Sequence, residues 1–165
     1  MQTLCRKSLI GVALSWVFVS FSLAMSHGPI DIDVKQIDGK PAFCLPVSDE
    51  NGSDPIQISR VGVSRETGVA KPAVTYWDEF VPVNAQPAYL KRGECLVYGQ
   101  IVPGAIVDTP ATSLDVNKYY SFALIPGGDA EFIYGVAFCV LRQADGKVRV
   151  AVPGKQSNPC GSLGY

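Results

Sequence analysis

The run Lys118-Tyr119-Tyr120-Ser121-Phe122-Ala123-Leu124-Ile125, followed after Gly127-Gly128-Asp129 by Glu131 to Arg142 (EFIYGVAFCVLR), decides the fold class of this chain. These are the longest of a series of strand-type runs, parted by a glycine turn. Upstream, Ile30 to Val34 alternates apolar and charged residues at period two. Ala42 to Val47 is a short apolar run ending at the turn signal Asn51 to Pro55. Ile56, Ile58, Val61 and Val63 share a strand whose spacing calls for a bulge between Ile58 and Val61. Ala73 to Trp77, Phe80 to Val83 and Glu94 to Tyr98 are short pieces, and Lys147 to Val152 alternates again. Asp145-Gly146 fits a two-residue hairpin turn joining the last two strands. Prolines at or between the runs, Pro41, Pro46, Pro126 and Pro153 among them, leave no room for a long helix. Ala85 to Arg92 is broken by Pro87. Seven to nine short strands predict an all-β fold, an antiparallel Ig-like β-sandwich in one domain over residues 27–165.

Residues 1–26 have the layout of a cleaved secretory signal peptide. Arg6 and Lys7 precede the apolar, uncharged stretch Ser8 to Leu23, and Ala24-Met25-Ser26 ends it with small residues. The apolar stretch is shorter than the ~20 residues of a membrane span. Cleavage after Ser26 leaves a net charge of −3 and four cysteines, Cys44, Cys95, Cys139 and Cys160. Four cysteines in an oxidising compartment imply two disulfides, with three possible connectivities. Cys160 lies near the C-terminus, and Cys139 is its nearest partner in sequence, so Cys44–Cys95 and Cys139–Cys160 are the favoured pairs. No two cysteines have the spacing of a zinc site. Cys5 lies too early to be a lipid-attachment cysteine, so the expectation is a soluble periplasmic protein with no stable membrane insertion after cleavage.

Composition excludes two classes. With 14 basic against 15 acidic residues there is no cationic surplus to neutralise nucleic-acid phosphates. With 47% hydrophobic residues the chain does not have the composition of a disordered one.

The residues that carry chemistry are sparse. The single histidine, His27, stands at the expected mature N-terminus, so no Ser-His-Asp or Cys-His system is available. No phosphate-loop motif occurs. Asp31 and Asp33 fit the polar face of an edge strand, and Asp49, Glu50, Asn51 and Asp54 fit a solvated turn better than a calcium loop. No catalytic residue, metal site or cofactor is expected, and the chain is read as a binding protein. The segment with the chemistry of a binding surface is Tyr76-Trp77-Asp78-Glu79-Phe80, which joins three aromatics to two acids. Tyr and Trp are favoured at binding hot spots, and acids rarely enter a core unpaired. Val107 to Asn117 and Gly127 to Glu131 are further candidate loops.

Four pieces, in order, resemble a known family: Ala42-Phe43-Cys44-Leu45-Pro46; Arg92-Gly93-Glu94-Cys95-Leu96-Val97-Tyr98-Gly99; Asn117-Lys118-Tyr119-Tyr120-Ser121-Phe122; and Tyr134 to Val140 followed by Lys147 to Val150. Together they resemble the small periplasmic immunity proteins of bacterial type VI secretion effectors, over Phe43 to Val152. The resemblance implies a partner, a cognate secreted toxin (a lipase, cell-wall hydrolase or peptidase), neutralised by blocking its active site. It also supports the Cys44–Cys95 pair, while Cys139 and Cys160 look like an addition. It transfers no inhibitory residue, because the matching pieces are scaffold strands. The competing expectations are a structural subunit, or a carbohydrate-binding module in which Tyr76, Trp77 and Phe80 stack on sugar rings.

Overall fold

The computed structural model describes residues 28–50, 54–128, 130, 132–154, 158–161 and 163. The expected leader over residues 1–26, together with His27, Asn51 to Ser53, Asp129 and Glu131, lies outside the described residues. Eleven strands form an all-β fold: β1 (Ile30–Asp31), β2 (Asp33–Ile37), β3 (Lys40–Cys44), β4 (Ile56–Arg65), β5 (Val74–Phe80), β6 (Ala88–Leu90), β7 (Cys95–Val97), β8 (Ile106–Thr109), β9 (Lys118–Pro126), β10 (Tyr134–Arg142) and β11 (Val148–Ala151). A large sheet has the order β1-β10-β9-β4-β5-β8, with β11 also on β10 and β6 on β4, and a small sheet has the order β2-β3-β7. Among the described residues every pairing is antiparallel except β1 on β10.

Period-two alternation builds the core. Tyr120, Phe122 and Leu124 of β9 point inward beside Ile56, Ile58, Val61 and Val63 of β4. The odd step from Ile58 to Val61 is absorbed by a register shift against β9, where the spacing called for a bulge. The small sheet closes over this face through Phe43, which stacks on Phe122 at 3.8 Å and meets Phe138 edge-on at 5.3 Å. Each such buried aromatic contributes about 1.5–3 kcal/mol through apolar area alone. Gln36 ties the two sheets at their edge, donating to the Val148 carbonyl and accepting from the Val150 amide.

The structure departs from the sequence expectations in four places. The pieces read around Ala73 to Trp77 and Phe80 to Val83 are one strand, β5, which carries Asp78 and Glu79 through its middle. Ala88 to Leu90, beside the helix-breaking Pro87, pairs with β4 as β6. Ile106 to Thr109, partly read as loop, is the edge strand β8. The last hairpin closes with Gln143 and Lys147 hydrogen-bonded around three residues, not two. Gly146 takes the left-handed φ of 84° that such a loop requires.

Both expected disulfides are present, Cys44–Cys95 and Cys139–Cys160. Cys44 and Cys95 are direct cross-strand neighbours on β3 and β7, so this bridge reinforces the small sheet, whereas an immunoglobulin bridge joins the two sheets. Cys139–Cys160 fastens the chain beyond β11 back onto β10. Non-reducing peptide mapping is expected to recover both pairs and no Cys44–Cys139 peptide. Replacing Cys139 and Cys160 together by Ser is expected to cost about 3 kcal/mol in urea denaturation, the loop-closure value for this separation; an unchanged midpoint would contradict the role given to this bridge.

Candidate functional site

The segment Tyr76 to Phe80 divides between two environments. A register shift at Val63/Ser64 leaves Tyr76 without a cross-strand partner on β4, and both Tyr76 and Trp77 turn inward. From there the alternation is regular: Trp77 and Glu79 point into the core, Asp78 and Phe80 away from it. Tyr76, Trp77 and Glu79 are therefore not an exposed interaction loop, and the expectation that they meet a partner at the surface is corrected. Glu79, only 3% exposed, is kept inside by donors. The Trp77 indole donates to its Oε1 at 2.9 Å, and the Val102 amide donates to its Oε2 at 2.9 Å. Each removes the cost of burying an unpaired polar group.

Asp78 and Phe80 join residues that the sequence reading does not select. Arg60 on β4 donates through Nε to Asp78 Oδ1 at 2.8 Å, through Nη2 to Asp78 Oδ2, and through Nη2 to Asp108 Oδ2 at 3.1 Å. Its guanidinium carbon lies 5.9 Å from the Phe80 ring centroid. The two carboxylates raise the Arg60 pKa, with the Asp78 hydrogen bonds the largest cause, so the group is a permanent cation. Asp108 is the extra residue where β8 shifts register between Asp78 and Glu79. Gly62 makes the approach possible, since a Cβ there would sit 3.1 Å from the Trp77 carbonyl and 3.4 Å from Asp78 Oδ1. Ile106 pairs with Phe80 and Ile125 with Arg60, so both share this face, 51% and 38% exposed. The outcome is a charged centre held in one geometry inside an exposed apolar rim. Arg60, placed between the inward Ile58 and Val61, is the available sequence signal; Asp108 is hidden in the stretch read as loop.

Beside this patch the outer face of the large sheet is concave. Gly62, Ser64, Ser121, Ala123 and Ala137 are too small to fill it. Three hollows of about 220, 530 and 560 Å³ lie on it, each with Ser121 in its lining. With a rise of ~3.4 Å per residue, β9 from Tyr119 to Ile125 runs roughly 20 Å along this face.

The segment read as a loop after β8 is pinned from within. After β8, the Thr112 amide donates to the Tyr76 carbonyl at 3.0 Å, Tyr98 donates to the Thr112 carbonyl at 2.7 Å, and Tyr120 donates to the Asp115 carbonyl at 3.1 Å. Asp49 does not spend its carboxylate on solvent: its side chain is only 3% exposed, receives Arg92 Nη1 at 2.6 Å and accepts from the Tyr134 hydroxyl. Among the described residues no group of three or more His, Cys, Asp or Glu is placed to hold a metal ion.

Burial pushes the Tyr98 and Tyr134 hydroxyls up to about 12, and the hydrogen bond to Asp49 adds to the Tyr134 shift. A raised folded-state pKa stabilises the fold fully below the unfolded value of about 10, and that contribution is lost as pH climbs through the folded value. Stability to urea is therefore expected to be level from about pH 7 to 9 and to fall between about pH 10 and 12. Tyr98→Phe is expected to make the fall shallower while lowering the neutral-pH value by about 1–3 kcal/mol, because the Thr112 carbonyl loses its donor. An identical fall in Tyr98→Phe would remove Tyr98 from this account. Trp77→Ala is expected to cost about 3–5 kcal/mol in the same assay, as a core truncation does, and a cost under 1 kcal/mol would place Trp77 outside the core.

Among the described residues no helix is long and apolar enough to cross a membrane. The chain matches no protein-family model, no characterised protein and no solved structure.

Proposed function

We propose that this chain is an exported immunity protein that binds a cognate type VI secretion toxin in the periplasm and blocks the toxin's active site, acting as a binder and not as a catalyst. The observation that carries the reading is the outer-face patch, in which Arg60 is held by Asp78 and Asp108 over Phe80 and rimmed by Ile106 and Ile125. Arginine and aromatic residues dominate the energy of protein interfaces. An arginine already held in place has less side-chain freedom to lose on association. Two disulfides fit an oxidising compartment, and they stiffen a small scaffold that must not deform when it enters a cleft. The four-part resemblance supplies the class of partner.

The test is capture from the native host with the chain from His27, disulfides formed, followed by titration of the captured protein's hydrolytic activity. One stoichiometric partner whose activity falls to zero at one equivalent is expected. Arg60→Ala and Phe80→Ala are each expected to weaken that complex by about 30-fold or more, the ~2 kcal/mol of a hot spot, with the unfolding free energy in urea within about 1 kcal/mol of wild type. Recovery of glycans alone, or of self-assembled chain alone, would replace the reading with the sugar-binding or structural one. Unchanged affinity in both variants would keep a toxin partner but move its interface off this patch.

A further inference from the structure

The largest of the three hollows, about 560 Å³, lies away from Arg60, between the end of β4 and the start of β9. Arg65, Glu66, Lys118, Tyr119 and Asn158 are among its walls. One observation sets it apart among the described residues. Arg65 Nε is buried and has no hydrogen-bond partner. Its guanidinium rests 5.6 Å from the Tyr76 ring centroid, which supports the cation without giving its N–H groups an acceptor. Among the described residues neither Arg65 nor Lys118 forms an ion pair, although Glu66 lines the same hollow. Buried donors in folded proteins are almost always paired, and a guanidinium is the donor best matched to a carboxylate. The surplus is cationic, on a chain whose net charge is −1.

We infer that this cleft is an acceptor site for a carboxylate side chain presented by an acidic segment of the protein partner, with Arg65 and Lys118 as its ligands. The occupant's identity as a protein segment rests on the immunity reading. Charge complementarity supports it, because Arg65 and Lys118 stand at the cleft as cations without an ion-pair partner among the described residues.

The test needs no toxin. The arginine Nε–H resonances of the full disulfide-bonded chain are followed by NMR while an acetylated pentaglutamate peptide is added. Pentalysine peptide and inorganic sulfate are the comparison titrations, and Arg65→Lys identifies the Arg65 signal by its loss. Saturable movement of that signal with pentaglutamate, and less with sulfate, is expected. Arg65→Gln and Lys118→Gln are each expected to weaken the peptide at least about tenfold, as loss of one charge-assisted pair does. The remaining backbone spectrum should be unchanged, which separates lost binding from lost fold. No saturable movement, or equal movement with pentalysine or sulfate, would overturn the proposal. A chain that responds to pentaglutamate but captures no toxin keeps the cleft and loses the immunity reading; one that inhibits a toxin but ignores the peptide loses the cleft alone.

Discussion

The arrangement of the outer face depends on one buried carboxylate. Glu79 holds the Trp77 indole with one oxygen and the Val102 amide with the other. These two bonds fix which side of β5 faces inward. Side chains alternate along a strand, so once Trp77 and Glu79 are inside, Asp78 and Phe80 must be outside. A one-residue slip would bury Asp78 without its arginine and leave the indole and the Val102 amide without acceptors, each at about 1–3 kcal/mol. The register shift at Tyr76 and the extra residue at Asp108 lie on either side of this fixed point. They let β5 pair with β4 and β8 while both aspartates reach Arg60.

Strands with clean alternation are legible in the amino-acid sequence itself. β9, β10 and β4 stand where the apolar period places them, including the bulge beyond Ile58. So do both disulfides, because Cys139 is the nearest partner in sequence for Cys160 and Cys44 and Cys95 then remain. Asp78 and Glu79 mislead for a physical reason. Paired acids in an aromatic stretch look like an exposed turn, and only tertiary donors from β4 and the Val102 segment, distant in sequence, make them compatible with a strand interior. β6 and β8 are illegible because three or four residues carry too little period to distinguish from loop. Asp38-Gly39, the hairpin turn between β2 and β3, is a usable local signal: both residues have positive φ, and Ile37 pairs with Lys40 across them. The candidate site follows the same logic. Phe80 and Asp78 stand out by composition, but Arg60, Asp108 and Ile106 meet them only through sheet register.

Two arginines on the same strand then stand in contrasting states. Arg60 is satisfied: Asp78 and Asp108 both pair with it and leave the cluster one negative charge in excess, so it presents no unmet cation to whatever approaches. Arg65, five residues further along β4, is not: it has an aromatic ring beneath it and no acceptor for its buried Nε. A surface that paired both would be rigid but chemically indifferent to the partner's charge. One that left both open would pay the desolvation of two cations on every wrong encounter. With one arginine closed and one open, the proposed complex would take its binding area from the apolar rim around Arg60 and confine the requirement for a matching anion to a single cleft. That division lets affinity and specificity be set at separate positions, because a mismatched partner leaves Arg65 desolvated and unpaired while the contacts around Arg60 are unaffected.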